Sequence, residues 1–149
     1  MGLAPGLKRK VLASIEMVPV VSPQHPLAAL KGPIATRRLA DAIQIALSER
    51  SDSGVADQAV LSPRTWRIGD LHTKHALLRA GLGWGNLPKH LVSDDLRKKK
   101  LVQIRPAAWA KDQHTLYLSA IYRADAEFGP AHRWMLANIE ALCVGPSTP

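Results

Sequence analysis

His72 and His75 stand three residues apart in a run with helical spacing, so one helix face would carry both imidazoles, as a chelated divalent metal requires. No third acidic or histidine ligand lies near them in sequence, and two ligands do not make a centre. Asp94 and Asp95 are consecutive, so on a helix they point to different faces and cannot act as a paired acid and base. Cys143, the one cysteine, falls on the apolar stripe of the last helical run, where burial would leave it inert. One cysteine permits neither an internal disulfide nor a thiolate cluster. No Gly-x-Ser-x-Gly elbow is present. With no convergent set for covalent or metal chemistry, the chain reads as a non-enzyme with no cofactor. Trp66 and Trp84 flank the histidine-bearing helix. Trp84 is either a core aromatic or a flat wall with an N–H donor for a ligand.

The element that positions these residues is the stretch 65–88. A short β-like run (66–68) breaks at Gly69-Asp70, and a helix is predicted over 71–80. Gly81-Leu82-Gly83-Trp84-Gly85 forms the exit, closed by Pro88. Asp70 suits the N-cap, where its carboxylate takes up free N–H groups of the first turn. Gly81 suits the position just past the helix end, where a left-handed backbone is cheap only for glycine. A strand running into a helix N-terminus is also where α/β sheets hold small, often anionic, ligands.

Elsewhere the same units alternate. A strand is expected over 15–21, where Pro19 argues for an edge or crossing segment. A proline-rich connection follows (22–33), in which His25 is structural. Then come a short helix from Thr36 to Ala42 capped by Thr36, a strand Gln44–Leu47, a polar loop 48–57, and a possible short strand 59–61. After the central unit a helix is predicted over 89–100, then strands over 101–104 and 115–123 and a last helix over 131–143 with one apolar stripe. Strands alternating with helices imply a mainly parallel sheet.

At 149 residues and 46% apolar, the chain suffices for one domain with a core. It has no run of about 18 apolar residues to span a bilayer. Lys8-Arg9-Lys10 sits inside the first apolar stretch, a poor signal peptide, so the default is cytoplasmic. The net charge of +8 is scattered. The one dense run, 97–100, follows Asp94-Asp95 at a helix end, where cations complement the dipole. No recognition-helix module for DNA is visible.

Three stretches in order resemble the effector-sensing domain of LysR-type transcriptional regulators. VVSPQHPLA (20–28) is similar to the family's strand and turn entering its second lobe. LRAGLGWGNLP (78–88) resembles its glycine-rich helix exit, although the family more often has an aliphatic residue at Trp84. LVQIRP (101–106) resembles the strand leading back to the first lobe, and residues 120–125 with the helix after them resemble that lobe's close. The resemblance implies an α/β fold like that of type 2 periplasmic binding proteins, with one near-complete lobe plus part of a second. Its divisions would be a lead-in (1–14), a crossover strand (15–21), lobe two (22–104), the C-terminal part of lobe one (105–144) and a frayed tail (145–149). Nothing resembles the helix-turn-helix head or the first half of lobe one, so DNA would be reached only through an absent domain. A small, anionic effector would lie between lobes. Ser48, Arg50 and Ser51 would stand at the cleft mouth, where hydroxyls and a bidentate guanidinium suit a carboxylate or sulfate, with Trp66 and Trp84 as walls. For each, a plain surface or core role is the alternative. The family's side-by-side association implies a homodimer. A stand-alone periplasmic-type binding protein is the alternative function.

Overall fold

The computed structural model describes residues 4–48, 60–109 and 115–143. The chain forms two compact units, Glu16–His114 and the pair Met1–Ile15 with Thr115–Pro149.

The larger unit is built on a sheet in the order β4-β3-β5-β1-β6, from β4 (Thr65–Ile68), β3 (Gln44–Leu47), β5 (Trp84–Pro88), the later part of β1 (Leu7–Val21) and β6 (Val102–Gln103). It is mixed, not mainly parallel. β3 runs parallel to β4 and β5, but β1 is antiparallel to both β5 and β6. β1 is therefore an interior strand here, and Pro19 sits within it, not at an edge. Pro19 lacks an N–H, yet its carbonyl still accepts from Ile104 N–H at 3.0 Å. A two-stranded parallel pair, β2 (Pro33–Ile34) with β7 (Arg105–Pro106), lies off this sheet.

Both faces of the sheet are covered, as parallel strands require. On one, Val18, Val20, Ile45 and Leu87 pack with Leu78 of α2 (Leu71–Arg79) and Val92 of α3 (Lys89–Arg97). On the other, Val21 and Trp84 pack with Leu27, Ile34, Ile104 and Leu39 of α1 (Thr36–Ala40). The alternation along Val18, Val20 and Val21 in β1 divides them between the two clusters. Gly83 and Gly85 let β5 close on β3. A Cβ on Gly85 would stand 2.5 Å from the Ile45 carbonyl oxygen, and one on Gly83 would meet that of Ile43.

Helix ends follow local chemistry in part. Asp70 caps α2 by accepting from Thr73 N–H at 2.8 Å, and Gly81 takes φ +80° just beyond it. His25 caps the short 3-10 turn Pro26–Ala29 through Nδ1, which accepts from Leu27 N–H, and burial lowers its pKa. Thr36 is not the cap of α1. That position is Ala35, with no side-chain hydrogen bond, and the helix stops at Ala40. α3 likewise ends at Arg97, three residues early, and Lys99 adopts φ 55°. No strand occupies residues 60–61, and residue 59 and the tail 145–149 lie outside the described residues.

The smaller unit holds the first part of β1, β8 (Thr115–Arg123) and α4 (Pro130–Cys143). β1 begins at Leu7, eight residues before the apolar run that announces it. Lys8 and Arg9 are exposed, and the half-buried Lys10 finds tertiary partners on α4, donating to Leu136 O at 2.7 Å and lying 3.6 Å from Glu140. No residue of α4 is buried, and Cys143 is exposed, contrary to the expected buried stripe. Periodicity shows which face of a helix is apolar. It does not show that anything covers it.

Candidate ligand-binding site

The three parallel strands of the larger unit end along one edge, and the loops there are where such sheets hold ligands. At that edge Ser48 follows β3 and is exposed. Its N–H donates to Ile68 O at 2.9 Å, which binds the ends of β3 and β4 together. Asp70 and the first turn of α2 follow β4. Hydrogen bonds from Thr73, hydroxyl first and then backbone N–H, hold the Asp70 carboxyl below its usual range. Asp70 is thus engaged as a cap. Met17 of β1 pairs with Pro88 at the same edge, and Lys89 bridges to Glu16 at 2.8 Å.

The candidate residues do not converge on one point. Trp84 pairs with Gln44 at the opposite, amino end of the strands, and four residues of strand, about 13 Å, separate that row from Ser48. Trp84 is fully buried, its ring 5.8 Å from that of Trp109 and tilted by 57°. Trp66 pairs with Ile45, so it lies on the α2 face while Trp84 lies on the α1 face. It is 45% exposed on the edge strand. Arg50 and Ser51 lie outside the described residues.

Ser48 and Trp84 nevertheless share one face of the sheet. Alternation sets Ser48, Pro88 and Met17 in the outermost row, Ala46, Asn86 and Pro19 in the next, and Gln44, Trp84 and Val21 in the third. Gln44 is engaged, its Oε1 accepting from Leu61 and Ser62 N–H at 2.7 and 3.0 Å. Among the described residues Trp84 Nε1 and Asn86 Oδ1 are buried with no hydrogen-bond partner. Sequence reasoning passed over Asn86. Its signal was a lone carboxamide inside the apolar strand WGNLP.

A second polar group missed in sequence joins α2 to α3. His75 Nε2 meets the largely buried Asp95 Oδ2 at 2.5 Å, and Arg79 Nε lies 3.8 Å from the other oxygen. His75 is thereby committed to a carboxylate rather than paired with His72, and no metal-ligating cluster of three occurs among the described residues. Asp94, on the other face, is exposed and pairs with Arg97 and Lys98, which hold its pKa down to about 2. The two consecutive aspartates thus do separate work, as their spacing requires.

The fold and its edge-lined strands are those of a known regulatory module. The family described as LysR substrate binding domain matches residues 3–143, and the chain belongs to it. These are the effector-binding regulatory domains of LysR-type transcriptional regulators, which are not an enzyme family. The HTH-type transcriptional regulator AceR of Acinetobacter baumannii is 23% identical over 141 residues, 95% of this chain and 45% of that protein. The chain thus spans under half the length of this curated relative. Among solved structures, the MetR regulatory domain from Neisseria meningitidis aligns with a TM-score of 0.70 at 19% identity, over 98% of this chain and 71% of that one. The Synechocystis CcmR regulatory domain, in complex with 2-PG, aligns at 0.68 and 17%, over 94% and 68%. The effector binding domain of QuiR, in complex with shikimate, aligns at 0.68 and 18%, over 93% and 66%. Among the described residues no helix is long and apolar enough to cross a membrane.

Proposed function

We propose that the chain senses a small organic acid at the carboxyl edge of β3, β4 and β5 and passes its occupancy to a transcription-regulating partner domain. Family membership supports the sensing role, and so do CcmR and QuiR, whose domains were solved with 2-PG and with shikimate. The observation that carries the location is the face that Ser48 shares with Trp84 and Asn86, where Trp84 Nε1 and Asn86 Oδ1 are buried without hydrogen-bond partners among the described residues. Ser48 supplies a hydroxyl to the acid group. Arg50 and Ser51, next in sequence, are proposed to complete its anion contacts, and Trp84 to form the inner wall. Trp66, on the other face, is left out of this site. The domain works as a homodimer in the cytoplasm, reaches DNA only through a separate head, and does no covalent chemistry.

The test is a thermal-shift screen of the folded protein against aliphatic and aromatic acids, since a ligand well above its Kd raises the melting temperature. A stabilising acid is expected, its shift reduced in Ser48→Ala and more in Arg50→Ala. No shift with any acid in a folded sample overturns the reading. Sedimentation equilibrium checks the dimer.

A further inference from the structure

Two polar atoms in the larger unit are buried without hydrogen-bond partners among the described residues, and both lie on β5. Trp84 Nε1 is a donor only, and Asn86 Oδ1 an acceptor only. Residues two apart on a strand share a face, with Cα atoms about 6.6 Å apart. Native interiors rarely leave such groups unpaired, because each costs about 1–3 kcal/mol of lost solvation. Nothing in the ladder needs them. The backbone pairing of β5 with β1 and β3 uses main-chain groups, and the residue across from Asn86 is Pro19, which has no N–H to offer. A fold that merely required filling here could use the leucine or valine found along the rest of the sheet.

We propose that Trp84 and Asn86 form a recognition pair for a hydroxyl group of the effector. This rests on the sensing reading above and adds the ligand's chemical class, a hydroxylated acid. The pair is complementary to a group that accepts from the indole N–H and donates to the carboxamide oxygen. A carboxylate cannot donate, and an ammonium cannot accept. A hydroxyl does both, either bridging the two atoms or as neighbouring hydroxyls of one ligand. Ala46, a small residue, stands next to Asn86 in register, between the pair and the row of Ser48. Specificity follows from the unpaired atoms themselves. An analogue lacking the hydroxyl leaves both desolvated and unmatched, and sites of that kind discriminate strongly against the deoxy compound.

The test uses matched probes that differ by hydroxyls: glycolate and acetate, 3-hydroxybenzoate and benzoate, shikimate and cyclohexene-1-carboxylate. Each is titrated calorimetrically into wild type, Asn86→Leu and Trp84→Phe. Wild type is expected to prefer the hydroxylated member of at least one pair by about tenfold or more. Both variants should lose that preference, read as the ratio of the two affinities within each variant and not as either affinity alone. The ratio within each variant is the readout, so a change in stability does not move it, and Trp84→Phe serves if Asn86→Leu does not fold. Acids that bind wild type without hydroxyl preference, or a preference that survives either substitution, overturn the pair. A drop in melting temperature with an unchanged ratio makes the two atoms a structural hydration site and overturns it as well. If none of the six acids binds at millimolar concentration, it is the acid-sensing reading itself that fails.

Discussion

The two units spend their apolar residues in opposite ways. In the larger unit, β3, β5 and the inner part of β1 are closed in by helices on both faces, and Trp84, Leu39, Ile45, Leu78 and Leu87 are fully buried. In the smaller unit Leu12 is the one buried apolar side chain among the described residues. Leu116, Tyr117, Ile121, Trp134, Met135 and Leu142 all stand exposed. Both units have strand-forming and helix-forming sequence of similar quality. What separates them is cover. A strand with layers on both sides converts β-branched and aromatic residues into a core, whereas β8 pairs with β1 and leaves most of its side chains exposed. Stability should therefore reside in the larger unit, and backbone amides of β3 and β5 should exchange far more slowly than those of β8.

The sharpest way to break that comparison is a matched pair of truncations. Leu78→Ala empties the centre of the α2 cluster and is expected to cost about 2–5 kcal/mol. Ile121→Ala, on an exposed strand position, should stay within about 0.5 kcal/mol. Urea unfolding followed by tryptophan fluorescence measures both. Equal losses would show that β8 is buried in solution. Gly85→Val comes next. Its Cβ would meet the Ile45 carbonyl and the Lys74 stem, 3.2 Å away, so β5 must shift from β3 at a cost of about 3 kcal/mol, near the top of the range for overpacking. The same substitution at Gly129, where nothing lies within 4 Å, should be mild.

What the sequence made legible follows the same division. The unit 65–88 was readable because each signal is local: Asp70 bonds three residues ahead, and Gly81 answers to its own φ. The antiparallel course of β1 was not, since it depends on which strand lies beside it, and of the two readings of Pro19 the edge position is the one that fails. The length of β1 was hidden because Lys8-Arg9-Lys10 reads as solvent-facing until α4 supplies partners for Lys10. The place of Ser48 just after a strand was legible, because the apolar run Gln44–Leu47 ends there. Asn86 was not, because an isolated carboxamide means nothing until its neighbours are known to leave it unpaired. Trp66 and Trp84 looked equivalent as flanks of one helix. Only register, Ile45 against Trp66 and Gln44 against Trp84, assigns them to opposite faces.

The polar link between α2 and α3 tests whether the larger unit is held by packing alone. His75→Ala leaves Asp95 largely buried with only Arg79 at 3.8 Å, so a loss of about 1–2 kcal/mol is expected in thermal unfolding. Asp95→Ala combined with His75→Ala should recover part of that loss, because removing both partners leaves no stranded charge. If the double variant is the less stable by the sum of the two, the pair is not coupled.

The smallest effect is the most specific in its pH dependence. Asp70 caps α2 as a carboxylate, and its folded pKa lies below the ordinary 3.8 because Thr73 hydrogen-bonds the charged form. A depressed folded pKa means that the ionised cap contributes stability fully above pH 3.8, and that the contribution fades as pH falls through the lower, folded value. Asp70→Ala should therefore melt slightly below wild type at neutral pH, with the gap closing in acid. Asp70→Asn separates charge from geometry. Asparagine caps helices about as well but does not titrate, so its melting temperature should track wild type at neutral pH and exceed it once Asp70 is protonated. A gap between Asp70→Ala and wild type that stays constant below pH 3.8 would mean that the carboxylate is not what the Thr73 N–H recognises.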